Sequence, residues 1–129
     1  MAKRRSLAGQ ATLELLVVVV TLLTLVVAAV DLGALVNGRA ALTSAAREGA
    51  RLGAADLSAS DATLRATVLN AATTAGLAAS RLGTPTVSYS ARAGGTPITV
   101  TASYTVPLDP LLANLVARTI SASATMRQQ

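Results

Sequence analysis

The 129-residue chain contains no cysteine, no histidine, no phenylalanine and no tryptophan. Without cysteine there is neither a disulfide nor a thiolate metal site. Without histidine the usual general base and the commonest metal ligand are gone, and a Ser-His-Asp arrangement cannot be built. The many Ser and Thr hydroxyls then have no partner to activate them as nucleophiles. The composition predicts a chain that is not an enzyme and carries no metal or cofactor. Aromatic residues make up 2% of the chain, against 52% hydrophobic residues in all, so the apolar content is mostly Ala, Leu and Val. A core of such small pieces is modest in stability, and the length suits one small domain.

Acidic residues are also scarce, six against eleven basic ones, for a net charge of +5. Lys3, Arg4 and Arg5 carry +3 of it; from Gln10 onward eight Arg and six acids leave +2. That remainder is dispersed, with almost no aromatics between the charges to stack bases, so the layout argues against nucleic-acid binding. The basic cluster reads as a cytoplasmic anchor beside a membrane segment.

That segment is Leu15 to Val30, sixteen residues free of charge between Glu14 and Asp31. As a helix it covers roughly 24 Å at ~1.5 Å per residue, short of a hydrocarbon core of ~30 Å. Adding Ala11 to Leu13 and Leu32 to Val36 makes it long enough, with the membrane part at about 13–36 and Glu14 and Asp31 near the two interfaces. Val17 to Val20 are β-branched, which lowers helix propensity, but a backbone in lipid must satisfy its own hydrogen bonds as helix. Basic residues before the run and none just after it place the N-terminus inside. The expectation is a single pass of the cytoplasmic (inner) membrane, with the bulk of the chain outside.

Other readings of the run compete. A cleavable secretory signal would use the small residues Val27-Ala28-Ala29, but Glu14 interrupts the junction and the helical pattern continues past Asp31. A buried core helix fails because the rest of the chain is too small to surround it. An uncleaved single-span exported protein, with an outer domain that binds something at the cell surface, stands as the alternative.

A basic leader (Lys3, Arg4, Arg5), a small residue (Gly9), then four residues and Glu14 entering an apolar helix resembles the type IV prepilin pattern. The stretches "GQATLELL" and "VDLGALVNGRAALTSAAREGARLGA" resemble the TadE-like pilins of tight-adherence (Tad, type IVc pilus) systems. Ala45-Ala46-Arg47-Glu48-Gly49-Ala50-Arg51 is the most specific piece, and the closing "ATMRQQ" is similar to the family's last strand. The resemblance is specific over 8–55 and general over 56–129. It implies a minor pilin or pseudopilin, cut between Gly9 and Gln10 by a prepilin peptidase, that takes part in assembling a surface pilus for adherence. Implied partners are that peptidase, other pilin subunits, the Tad assembly machinery and membrane lipid; the implied destination is the extracellular pilus. Gln10 stands where better-known pilins have phenylalanine, so their N-methyl-phenylalanine chemistry does not carry over. The length also departs from the short major Tad pilin.

Cleavage would give Glu14 an answering charge. A carboxylate buried in a filament core costs several kcal/mol if unpaired, and the cut creates a free α-amine on Gln10. The two lie about 6 Å apart along one helix at ~1.5 Å per residue, and a neighbour's amine could come closer. The bland reading is that Glu14 only marks the membrane boundary.

Periodicity carries the helix on through residue 55. At ~100° per residue, Leu35, Leu42, Ala46, Gly49 and Gly53 share one face and Arg39, Arg47 and Arg51 the opposite one. Glu48 can pair with Arg51 at i,i+3. The small face fits either the protein's own domain or another subunit. Residues 56–129 then read as a small α+β extracytoplasmic domain. Ser58-Ala59-Ser60-Asp61 suits a capping box ahead of a helix through Leu64, Val68, Ala71, Ala72 and Ala75, ending near Gly76 or Gly83. Val87, Tyr89 and Ala91 alternate with Ser88 and Ser90. After the hairpin "RAGGTP", Ile98, Val100, Ala102, Tyr104 and Val106 alternate with Thr and Ser. "PLDPLLANLVA" suggests a proline-bounded connection with one helical turn, before a strand from Thr119 to Met126 with Ile120, Ala122, Ala124 and Met126 inward. The predicted fold is α+β: a long N-terminal helix, one short helix and a roughly three-stranded antiparallel sheet with one face open to solvent.

Overall fold

A computed structural model describes the backbone of residues 3–108 and 119–129, and side chains from residue 9 onward within those ranges. The first helix, α1, runs unbroken from Lys3 to Ala55, about 80 Å at ~1.5 Å per residue. It is followed by α2 (Asp61–Thr74), a short 3-10 turn (Ala79–Arg81) and strands β1 (Thr86–Tyr89), β2 (Pro97–Thr105) and β3 (Thr119–Arg127). The expected α+β architecture is the one observed. The proposed turn within 109–118 lies outside the described residues.

The helix changes character along its length. From Gly9 to Val27 every residue is exposed, including Leu13, Val17, Leu23 and Val26. From Asp31 onward one stripe becomes buried: Asp31, Gly38, Leu42, Ala45, Gly49, Gly53. The spacing of seven, four, three, four and four is that of one helical face. Leu35, expected in this stripe, is only half-buried, whereas Ala45, Ala50 and Ala54 belong to the core. Small residues are needed here because the helix lies so close to its neighbours. A Cβ on Gly53 would come within 2.6 Å of Ile98 and 3.1 Å of Leu64, and one on Gly49 would collide with Val68.

The entry to α2 differs in detail from the sequence reading. Ser60, not Ser58, is the N-cap: its hydroxyl accepts from the Thr63 backbone N–H at 3.1 Å. Ser58 is claimed by Asp56, whose carboxylate accepts from its N–H at 2.8 Å and from its hydroxyl at 2.6 Å. An Asp two residues earlier competes locally for that serine and closes a turn instead. The helix ends at Thr74, with Ala75 as its C-cap, just before Gly76, the first of the two predicted glycines. Its φ of 91° lets Gly76 donate to Thr73 and Leu77 to Ala72, a Schellman motif that folds Leu77 back into the core.

The sheet has the order β1-β2-β3, antiparallel throughout. Ile98, Val100, Ala102 and Tyr104 of β2 are buried on one face. The opposite face is a ladder of Thr and Ser, with Thr86, Thr101 and Ser123 in one row and Ser88, Thr99 and Thr125 in the next. Ala91 does not extend β1, which ends at Tyr89, because Arg92 turns aside to bind another loop. β3 runs beside α1: Ile120 lies 3.3 Å from a Cβ built on Gly38, and the Gln129 N–H donates to Ala54 at 2.9 Å. The α1 helix, α2 and the inner sheet face therefore enclose two adjoining buried clusters, one around Leu42 and Val100 and a smaller one around Leu64 and Ile98, with Val87 and Met126 packed against both.

Candidate functional site

The residues singled out in the sequence fall into two groups on α1, well separated along it. Gly9, Gln10 and Glu14 lie in its first exposed turns. Lys3, Arg4 and Arg5 belong to the same helix. The Gly9–Gln10 bond is inside continuous helix, and a Cβ at Gly9 would meet nothing within 4 Å. Gln10, Leu13, Glu14, Val17 and Val18 share one shallow patch of the helix surface. Glu14 is thus one turn from Gln10 on the same side, as i,i+4 spacing requires, ringed by exposed leucine and valine. That geometry sets the Glu14 carboxylate one helical turn from residue 10, among exposed leucine and valine side chains.

The second group, 45–51, splits between two faces. Ala45, Ala46, Gly49 and Ala50 are buried against α2 and the sheet. Arg47 and Arg51 are exposed, and Glu48 is half-exposed. Arg51 and Glu48 form the i,i+3 ion pair, with Nη2 to Oε1 at 2.7 Å. The hydrogen bond from Arg51 holds the Glu48 carboxyl below its usual range, and Glu48 in turn raises Arg51. So the small half of "AAREGAR" packs on this chain's own domain, and the charged half faces solvent.

One cluster escaped the sequence reading. Arg92, in the hairpin between β1 and β2, reaches across to the loop before α2. Its guanidinium donates to the carbonyl of Ala59 and to the carboxylate of Asp61, and to the Leu57 carbonyl at 3.3 Å. It also sits 4.7 Å above the Tyr89 ring, and the Tyr89 hydroxyl lies 3.3 Å from the same Asp61 oxygen. The Tyr89 hydroxyl first, and Asp61 second, hold Arg92 above the usual arginine value. The sequence does not distinguish such an arginine from a solvated one, because the groups that accept its hydrogen bonds lie more than thirty residues away. Nearby, the buried Gln128 accepts from Ala93 N–H at 3.0 Å and from the Thr96 hydroxyl at 2.7 Å, fastening the C-terminal end to that hairpin.

Residues 9–51 match the family model described as TadE-like protein. No curated protein and no solved structure matches the chain. The matched stretch starts at Gly9 and ends at Arg51, so it holds Gly9, Gln10, Glu14 and residues 45–51, and leaves out Lys3, Arg4 and Arg5, α2 and the sheet, including the "ATMRQQ" strand. Over this segment of its long first helix, a third of its length, the chain is similar to the TadE-like family.

Proposed function

We propose that this protein is a minor pilin, or pseudopilin, of a Tad (type IVc) pilus. It enters the cytoplasmic membrane with its N-terminus inside, loses residues 1–9 to a prepilin peptidase, and joins other pilin subunits during assembly of a surface pilus for adherence. The observation that carries this reading is a single helix with two uses. Its outer third closes a small folded domain, while its first turns, from Gly9 to Val27, offer an entirely uncovered apolar surface. That surface is apolar enough to span a membrane, with a mean hydropathy of 2.8 over an 18-residue window. Such a helix can be held by lipid before assembly and by the helices of neighbouring subunits afterwards. Cleavage after Gly9 keeps the apolar helix attached, whereas a secretory signal would be lost together with it.

The intact mass of protein extracted from native membranes tests this. Loss of Met1 to Gly9 is the expected result, and Gly9→Leu should retain the leader. A mature chain beginning near Asp31 would identify a secretory signal. An uncut chain would favour a single-span protein with a surface-binding domain.

A further inference from the structure

A cavity of about 220 Å³ lies where the folded domain meets the exposed part of α1. Its walls include Ala34, Gly38, Leu77, Tyr104 and Val106, and Asn37 supplies a carboxamide. Apart from Asn37 the side chains named are apolar or aromatic, and Leu77 reaches it only because Gly76 turns the chain after α2.

The position of this cavity along α1 bears on what could enter it. Leu32 and Val36 are each 62% exposed, so at the height of Ala34 and Asn37 the helix still presents the kind of surface that belongs in lipid. Directly beneath the cavity, Leu23, Val27, Val30 and Ala34 follow one another at spacings of four, three and four, a single stripe on the helix. Leu23, Val27 and Val30 are exposed by 61%, 37% and 67%. The stripe therefore runs without a break from the middle of the apolar run up into the cavity. An outer-leaflet phospholipid has the complementary form: an apolar tail pointing to the bilayer centre, then ester groups, then a polar head. Its tail matches the stripe, its upper methylenes and ester region match the apolar walls, and Asn37 can donate to an ester or phosphate oxygen.

We infer that this cavity is a lipid site, taking the glycerol-ester end of one outer-leaflet phospholipid whose tail lies along Leu23, Val27 and Val30. The inference rests on the membrane-spanning reading of α1. It adds a fixed seat for the domain on the bilayer, since a lipid held at this height sets both the depth and the rotation of the helix.

The test uses the full chain in phosphatidylcholine–phosphatidylglycerol vesicles containing one of two photoactivatable phosphatidylcholines. One carries a diazirine next to the acyl ester, the other at the methyl end of the chain; adducts are mapped by mass spectrometry. The ester-end probe should label residues 75–77 and 104–107, and the methyl-end probe should label the helix around Leu23 instead. Ala34→Leu, which fills the mouth of the cavity, should lower ester-end labelling there several-fold while labelling of the span stays unchanged. Gly33→Leu, at a position with nothing within 4 Å, should leave both patterns as they are. Absence of ester-end labelling at 75–77 and 104–107, or its persistence in Ala34→Leu, would overturn the lipid site while span labelling upholds the membrane reading. Absence of label anywhere in 13–30 would overturn both.

Discussion

Arg92 and Asp61, thirty-one residues apart in the chain, are joined by a charge-assisted hydrogen bond that ties the β1–β2 hairpin to the first turn of α2. The Arg92 side chain is 20% exposed and that of Asp61 38%, so solvent screens the ion pair and its Coulombic share is small. The larger part of the interaction is geometric. One planar guanidinium satisfies two loop carbonyls and a carboxylate while lying on the Tyr89 ring, which a lysine cannot reproduce.

Arg92→Ala should therefore lower stability by about 1–3 kcal/mol, because the loop carbonyls lose their donor. Arg92→Lys should recover only part of that loss. Urea unfolding followed by circular dichroism measures both; a lysine variant as stable as the parent would show that charge alone suffices.

The close approach of α1 to α2 yields a paired prediction at two glycines. A Cβ at Gly49 meets Val68 closer than real atoms pack, and also lies 3.4 Å from Val100. Val68 is 1% exposed and sits in a helix, where its χ1 has little freedom. Gly49→Ala should cost about 1–3 kcal/mol as overpacking. Gly33→Ala, with open space around it, should be neutral or gain up to about 1 kcal/mol from helix propensity. Equal effects at the two sites would refute the packing argument.

Deletion from the N-terminus should divide sharply within α1. A chain beginning at Leu32 keeps Leu42, Ala45, Ala46, Ala50 and Ala54, all in the core, and should be soluble, monomeric and mixed in helix and strand by circular dichroism. A chain beginning at Asp56 loses that entire wall and should not fold cooperatively. A folded domain from Asp56 onward would mean that the sheet and α2 form a core without α1.

Glu48 and Asp56 should both contribute to the loss of stability in acid. Glu48 is lowered by its hydrogen bond from Arg51, and Asp56 by the hydroxyl and N–H of Ser58. A carboxyl lowered in the folded state binds fewer protons than in the unfolded chain. Its contribution is therefore present above the ordinary carboxylate range, about pH 4, and is lost as pH falls through the lowered folded values. Unfolding midpoints should be flat from pH 6 to 8, with no histidine to titrate there, and should fall below about pH 4. Glu48→Gln combined with Asp56→Asn should flatten that fall.

Glu14→Ala should leave leader cleavage and membrane insertion intact while preventing stable association with the pilus. This follows from placing Glu14 one turn from Gln10 on an otherwise apolar patch, where a new α-amine is its natural partner. The readout is the fraction of mature protein in sheared filaments or cross-linked to other pilins. Association equal to that of the parent would reduce Glu14 to a boundary marker.

Much of this protein follows from local pattern. An uninterrupted apolar run between Glu14 and Asp31 can only be helix in lipid. The strict alternation of Ile98, Val100, Ala102 and Tyr104 with Thr and Ser specifies both strand and inward face, because a strand's side-chain period is two. Gly9 and Glu14 stand out by spacing alone. What the tertiary structure decided lies wherever two readings were locally equal. A stripe of Ala and Gly suits a domain or another subunit, and only the contacts of Gly49 with Val68 and of Gly53 with Ile98 assign this one to the protein's own core. Either Ser58 or Ser60 could cap a helix, until Asp56 engages Ser58 and leaves Ser60 free to do so. Arg92 looks like any solvated arginine until the hairpin swings it onto Ala59 and Asp61. The reason is common to all three: periodicity records which way a side chain points from its own backbone, and the fold alone determines what stands there to meet it.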